Sequence, residues 1–149
     1  MIQKLKNLIR ENEIVRRYIV INSFDGALTV IGIVLADFAM GVNDPKLIIL
    51  PGMGAGVAMF ISGVWGAYFA EFAESKRSLE NLEKHLIRDL NGTEIQERLE
   101  KSTLLVAFAN GLGPMVAIFI IVSPFLFFNK YSYYISFLIS GIMLFLLGS

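Results

Sequence analysis

Residues 47–70 read LIILPGMGAGVAMFISGVWGAYFA, with no charged side chain among them. Roughly 20 apolar residues of helix cross a lipid hydrocarbon core, so this run is long enough to span a bilayer alone. Working outward, residues 102–129 and 131–149 are equally free of charge, and residues 18–42 are interrupted only by Asp25 and Asp37. The chain has 149 residues, of which 55% are hydrophobic, and its mean hydropathy is +0.62. That balance is too apolar for an ordinary soluble domain. It predicts an all-α, polytopic membrane protein with four transmembrane helices.

The charged residues crowd into the segments the spans leave over. Lys4, Lys6, Arg10, Arg16 and Arg17 precede the first span; Lys76, Arg77, Lys84, Arg88, Arg98 and Lys101 separate the second from the third. The other two links hold Lys46 and Lys130. Basic loops stay inside, so the N-terminus and the long middle segment are expected to be cytoplasmic, in a prokaryotic cell membrane. The organisation expected is an amphipathic N-terminal helix over 1–17, spans one and two within 18–70, a cytoplasmic helical hairpin over 71–101, and spans three and four within 102–149. The start lacks the short apolar core and small-residue cleavage site of a signal peptide. Absent cysteines exclude disulfides and thiolate metal sites, and a net charge of zero gives no reason to expect nucleic acid.

Several local signals punctuate the spans. Asn43-Asp44-Pro45 has the chemistry of a turn, and Tyr131, Tyr133 and Tyr134 form an aromatic cluster of the kind found at membrane interfaces. Pro114 and Pro124 fall in span three and are expected to loosen its backbone bonding. Ala55, Met59, Ser62, Gly63 and Gly66 make a narrow face on span two, suited to close helix packing.

Span two runs on without a breaker into YFAEFAESKRSLENLEKHLIRDL, residues 68–90. Asn91-Gly92 is expected to stop the helix, and Thr93 with Gln96 fits a capping box for the next. The hairpin carries Glu71, Glu74, Glu80, Glu83, Glu94, Glu97 and Glu100 at three-residue spacings. Glu71, Glu74 and His85 share one side of the helix, Glu80 and Glu83 another. Carboxylates with an imidazole suit Fe²⁺, Mn²⁺ or Zn²⁺. The Glu-x-x-His signature of di-iron bundles is absent, however, because Leu82 stands three residues before His85. Glu80–Lys84, Glu94–Arg98 and Glu97–Lys101 are also favourably ordered helix pairs, so a solvated, salt-bridged helix accounts for the same charges.

Asp25 sits inside a span, where a carboxylate costs about 2.5–3.5 kcal/mol at the helix centre and is a functional candidate by default. Asn22, Asp25 and Thr29 fall on one stripe that Gly32 continues. Asp25 is then a cation ligand or proton carrier at the mouth of a path, or else a hydrated carboxylate near the interface. Asp37 lies roughly 18 Å further along the helix and about 120° around it, so it does not partner Asp25. It is expected near the outer interface, as an exit-side group or simply solvated.

NSFDGALTVIGIVLA (22–36), ISGVWGAYFAEFAES (61–75) and VAFANGLGPMVAIFIIVSPF (106–125) together resemble the vacuolar iron transporter family, membrane proteins that move Fe²⁺ and Mn²⁺ out of the cytosol. The resemblance implies a homodimer exporting the ion in exchange for protons along the dimer interface. It implies that Asp25 is a pore ligand and that the seven hairpin glutamates collect the metal; Asn22, Thr29 and Met59 are expected to line the path. It also implies a fifth span. Where that family's second span carries a glutamate and Ser-Met-Gly, this chain has Ala55 and Ser62-Gly63-Val64. The expected function is divalent-metal transport and not enzymatic catalysis, with lipid, metal ions and a second copy as partners. A membrane-anchored, ferritin-like metal-binding or sensing protein and a purely structural membrane protein stand as alternatives.

Overall fold

A computed structural model of the chain describes residues 2–41, 43–86, 92–128 and 131–149, with side chains from residue 13 onward except those of 14 and 86. The described residues form five helices and no strand: α1 (Ile2–Ala39), α2 (Lys46–Leu86), α3 (Glu94–Val122), α4 (Pro124–Phe127) and α5 (Ser132–Gly148). Three segments are long and apolar enough to cross a membrane: Val15–Ala39, Lys46–His85, and Glu94–Phe127, which joins α3 to α4. α5 is a shorter apolar helix. Helices suit such sequences because each satisfies its own backbone polar groups where no water can.

α3 lies between α1 and α2 and packs extensively along both. Its small residues permit that approach. A Cβ on Gly26 of α1 would come within 2.6 Å of the Pro114 Cα. One on Gly111 would come within 2.7 Å of the Phe60 carbonyl oxygen in α2, and one on Gly113 within 3.0 Å of the Ile19 carbonyl oxygen in α1. Association in lipid depends on this kind of van der Waals fit, since the tails are as apolar as the helices. The fully buried core, Val30, Val34, Ile48, Ala117, Ile118 and Ile121, occupies the end of the bundle near the α1–α2 link.

α5 docks through serines. Ser132, Ser136 and Ser140 are buried four residues apart on one face. The Ser136 hydroxyl donates to the Ile121 carbonyl at 2.9 Å, and that of Ser132 to the Pro124 carbonyl at 3.3 Å. At its far end, Leu146, Leu147 and Ser149 line a cavity with Glu13, Arg16 and Arg17. α5 therefore returns from α4 to the beginning of the α1 apolar segment.

The backbone is one helix from Ile2 to Ala39, so the N-terminal stretch runs on into the first apolar segment. Pro114 and Pro124 both fall within the apolar segment Glu94–Phe127, as expected; Pro114 lies inside α3, and Pro124 opens α4, where its missing N–H costs nothing. The expected capping box gives way to a different contact: Thr93 stands at the N-cap without a side-chain cap bond, and Gln96 Oε1 accepts the N–H of Gly92, one residue before the cap, at 2.7 Å. Gly92 has φ +74°, as expected of a helix-terminating glycine, while Asn91 lies outside the described residues. At the other link, Gly41 has φ +67° after α1, and Asp44 Oδ1 accepts the Lys46 N–H at 3.0 Å, an Asx arrangement that starts α2.

Candidate functional site

The stripe expected on α1 divides between two surfaces. Asn22 is half-buried and turned into the bundle, where its amide donates to the Tyr18 carbonyl at 2.9 Å and to Asn110 Oδ1. Asn110, buried in α3, donates in turn to the Gly63 carbonyl of α2 at 2.8 Å. One amide pair thus ties three helices together. Pro114 adds to this polar knot, because a proline has no N–H for the carbonyl four residues earlier, that of Asn110. That carbonyl oxygen would lie 3.3 Å from a Cβ on Gly63, a close approach that glycine allows. Asn110 was not among the residues expected from the sequence; the available signal was a side-chain amide inside a span, which needs a partner in lipid.

Asp25 points the other way. It is exposed, and so are Thr29, Gly32 and Ala36, one turn apart along α1. The Thr29 hydroxyl donates to the Asp25 backbone carbonyl at 2.8 Å, which leaves the carboxylate itself uncovered. α2 has an open stripe of its own. Gly54, Ala58, Ser62, Gly66 and Ala70 are all exposed at a spacing of four, and a Cβ on Gly54, Gly66 or Gly32 would meet nothing within 4 Å. The glycines of α2 are therefore split between two jobs, with Gly52, Gly56 and Gly63 packed against α3. Met59 packs against the core cluster and is not placed on the open stripe.

The glutamates are dispersed. Glu71 Oε1 accepts the Tyr18 hydroxyl at 3.1 Å, joining α1 to α2 where the apolar part of α2 ends. Glu80, Glu83 and Glu100 line a cavity of about 350 Å³ between α2 and α3, with Lys76 and Gln96 on its wall and Phe72, Leu79 and Leu99 behind them. Above that cavity the Ser75 and Thr103 hydroxyls bond at 3.0 Å. Glu74, Glu94 and Glu97 are exposed. Of the three helix ion pairs expected, Glu97–Lys101 closes, at 3.3 Å, and it is the one ion pair among the described residues. At this exposure such a pair contributes little. His85 bonds the Asn81 carbonyl through Nδ1 at 2.7 Å and so is occupied within its own turn. Among the described residues, no three Asp, Glu or His side chains converge closely enough to hold a metal ion. Within one copy the hairpin carboxylates are neighbours without being a ligand set.

The chain is 31% identical over 152 residues to the uncharacterized protein MJ0645 of Methanocaldococcus jannaschii, an alignment covering 98% of this chain and 78% of the relative. No protein-family model matches the chain, and no solved structure does.

Proposed function

We propose that this chain, which belongs to the family of the Methanocaldococcus jannaschii protein, is a divalent-metal transporter that moves Fe²⁺ or Mn²⁺ out of the cytosol as a homodimer. One observation carries the reading: Asp25 lies in an apolar membrane-length segment and is exposed in a single copy. An intramembrane carboxylate does not face lipid; it faces water, a partner or an ion. Thr29, Gly32 and Ala36 beside it, and the small-residue stripe of α2, are surfaces that let another helix come close. A second copy seated there would enclose Asp25 between two chains and pair it with its own counterpart. Two carboxylates and two threonine hydroxyls are oxygen donors suited to a hard divalent cation.

On this reading α5 is a fourth span, since it runs from α4 back to Arg16 and Arg17 at the start of the α1 segment. Exposed aromatics favour two boundaries. Trp65, Phe69 and Phe72 are exposed along α2 near one, with half-buried Tyr68 packed among them and the Trp65 and Phe69 centroids 5.6 Å apart. Tyr131 and Tyr134 are exposed near the other. From Lys46 to Tyr68 is roughly 33 Å of helix, close to the hydrocarbon thickness of about 30 Å. The basic residues then orient the overhanging parts of α2 and α3 towards the cytoplasm, where the glutamates would gather ions.

The test is uptake of Mn²⁺ into proteoliposomes carrying a metal-quenched dye. Wild type should quench the dye and Asp25→Ala should not, with expression and oligomeric state unchanged. Equal quenching by both would remove Asp25 from the path. The alternative, metal binding without transport, is favoured by the cavity that gathers Glu80, Glu83, Gln96 and Glu100. It predicts Mn²⁺ binding that survives Asp25→Ala and is lost when those glutamates become glutamine.

A further inference from the structure

Asp37 is 8% exposed, and its Oδ2 is buried without a hydrogen-bond partner. It is the one buried side-chain polar atom so placed among the described residues. The expectation of a solvated carboxylate does not hold. Val34, one turn earlier on α1, is fully buried in the apolar core, and Phe38 meets Tyr133 and Phe137 edge-on at centroid distances of 5.3 and 5.8 Å. Tyr133 of α5 packs against the same apolar core.

No counter-charge comes from the described residues of the elements packed around this end; Lys130, in the link between α4 and α5, lies outside the described residues. Residues 111–122 of α3, all of α4 and all of α5 contain no charged residue. Lys46 opens α2 at the same end but makes no ion pair with Asp37, and Asp44 beside it is taken by the Lys46 backbone N–H. A bare carboxylate in such a place costs far more than a lost hydrogen bond, and buried charge is ordinarily paired or coordinated.

We infer that Asp37 is a cation-binding position within the bundle, at the end opposite the overhanging parts of α2 and α3. Its occupant is a positive charge on Oδ2: a proton, or a hard metal cation. The site is separate from the Asp25 surface. Asp25 is exposed where Asp37 is buried, and roughly 18 Å of helix lies between them. Resting on the transport reading, this gives α1 two stations: one on the open face for the carried ion, and one inside the bundle for the ion exchanged against it.

Infrared difference spectroscopy of the full chain in lipid nanodiscs tests the site directly, comparing wild type with Asp37→Asn in H₂O and D₂O, with and without Mn²⁺. A proton gives a carboxylic-acid C=O band in wild type that shifts in D₂O and is missing from D37N. A metal gives carboxylate bands that shift on adding Mn²⁺, of which the Asp37 component is present in wild type and missing from D37N while the shifts of Asp25 and the glutamates are common to both. Wild-type carboxylate bands assigned to Asp37 that ignore Mn²⁺, with no acid band, would overturn the inference. Should D37N fail to fold, the D25N/D44N/D89N chain made with ¹³C-labelled aspartate retains Asp37 as its sole aspartate and gives the same reading. These are equilibrium spectra. A chain that transports nothing but shows either signature keeps the site, and a chain that transports without one loses the site alone.

Discussion

Gly26 directly follows Asp25, yet the two answer to opposite surfaces. Asp25 is exposed, while Gly26 is buried with its α-carbon against Pro114. An alanine there has no room, since the nearest atoms belong to the backbone of a neighbouring helix at 2.6 Å. Gly26→Ala should therefore cost about 1–3 kcal/mol, the range for overpacking a well-fitted core, and lower the melting temperature in detergent. Gly32→Ala, with nothing within 4 Å, should leave the melting of the single copy unchanged. Equal melting of the two variants would refute the packing argument. The polar knot makes a second residue-level prediction. Asn110→Ala removes the interhelical bond to the Gly63 carbonyl and one bond of the Asn22 amide, at a cost of about 1–2 kcal/mol, typical of interhelical hydrogen bonds in lipid; unaltered melting would refute the knot's contribution. Asp25 stood out in the sequence because a charge in an apolar run is conspicuous. Asn110 did not, because an amide in a run of small residues carries no charge to betray it. The burial of Asp37 was hidden for a different reason: spacing along a helix fixes the angle between two residues but not which of them faces the bundle.

Among elements, the long apolar segments were legible because hydrocarbon demands length and the charges fall between them. The continuity of α1 was not, because an amphipathic stretch and an apolar one share the same helical backbone, and only the surroundings differ. Nor was the role of Pro124, since a proline inside an apolar run marks equally well a kink or a new first turn. The serine row of α5 passed unnoticed because small hydroxyl residues at a spacing of four stand out only when a partner helix is known. The turn before α3 was correctly placed through Gly92, whose φ of +74° is a conformation that L side chains avoid. A Cβ there meets nothing, so Gly92→Ala isolates the backbone cost, about 1–2 kcal/mol for a left-handed residue. The penalty should appear locally, as faster hydrogen exchange over the first turns of α3 with exchange over 105–122 unaltered. Exchange that speeds up along all of α3 would show that the turn and the bundle unfold as one unit.

At the scale of the whole molecule, the unanswered surface is the open one. Gly54, Ala58, Ser62 and Gly66 on α2 and Asp25, Thr29 and Gly32 on α1 form outward stripes of small and polar groups beside bulkier exposed neighbours such as Leu28, Leu35, Val57 and Ile61, whereas the outward row of Leu138, Ile142 and Phe145 on α5 is bulky at every position, 64%, 53% and 74% exposed. Lipid tails suit the second surface. The first leaves a carboxylate to be covered, which on the proposed reading a second copy would do. The chain contains no cysteine, so a single introduced one reports on its own position alone. Ser62→Cys should form a disulfide between copies in native membranes under mild oxidant, and Leu138→Cys should not. Ser62→Leu, which fills the stripe with a branched side chain, should shift the purified protein from dimer to monomer by light scattering while leaving its helicity intact. Cross-linking at 138 and not at 62 would place the partner on α5. Asp25 would then have to be covered by water, and the carried ion would have to cross within a single copy.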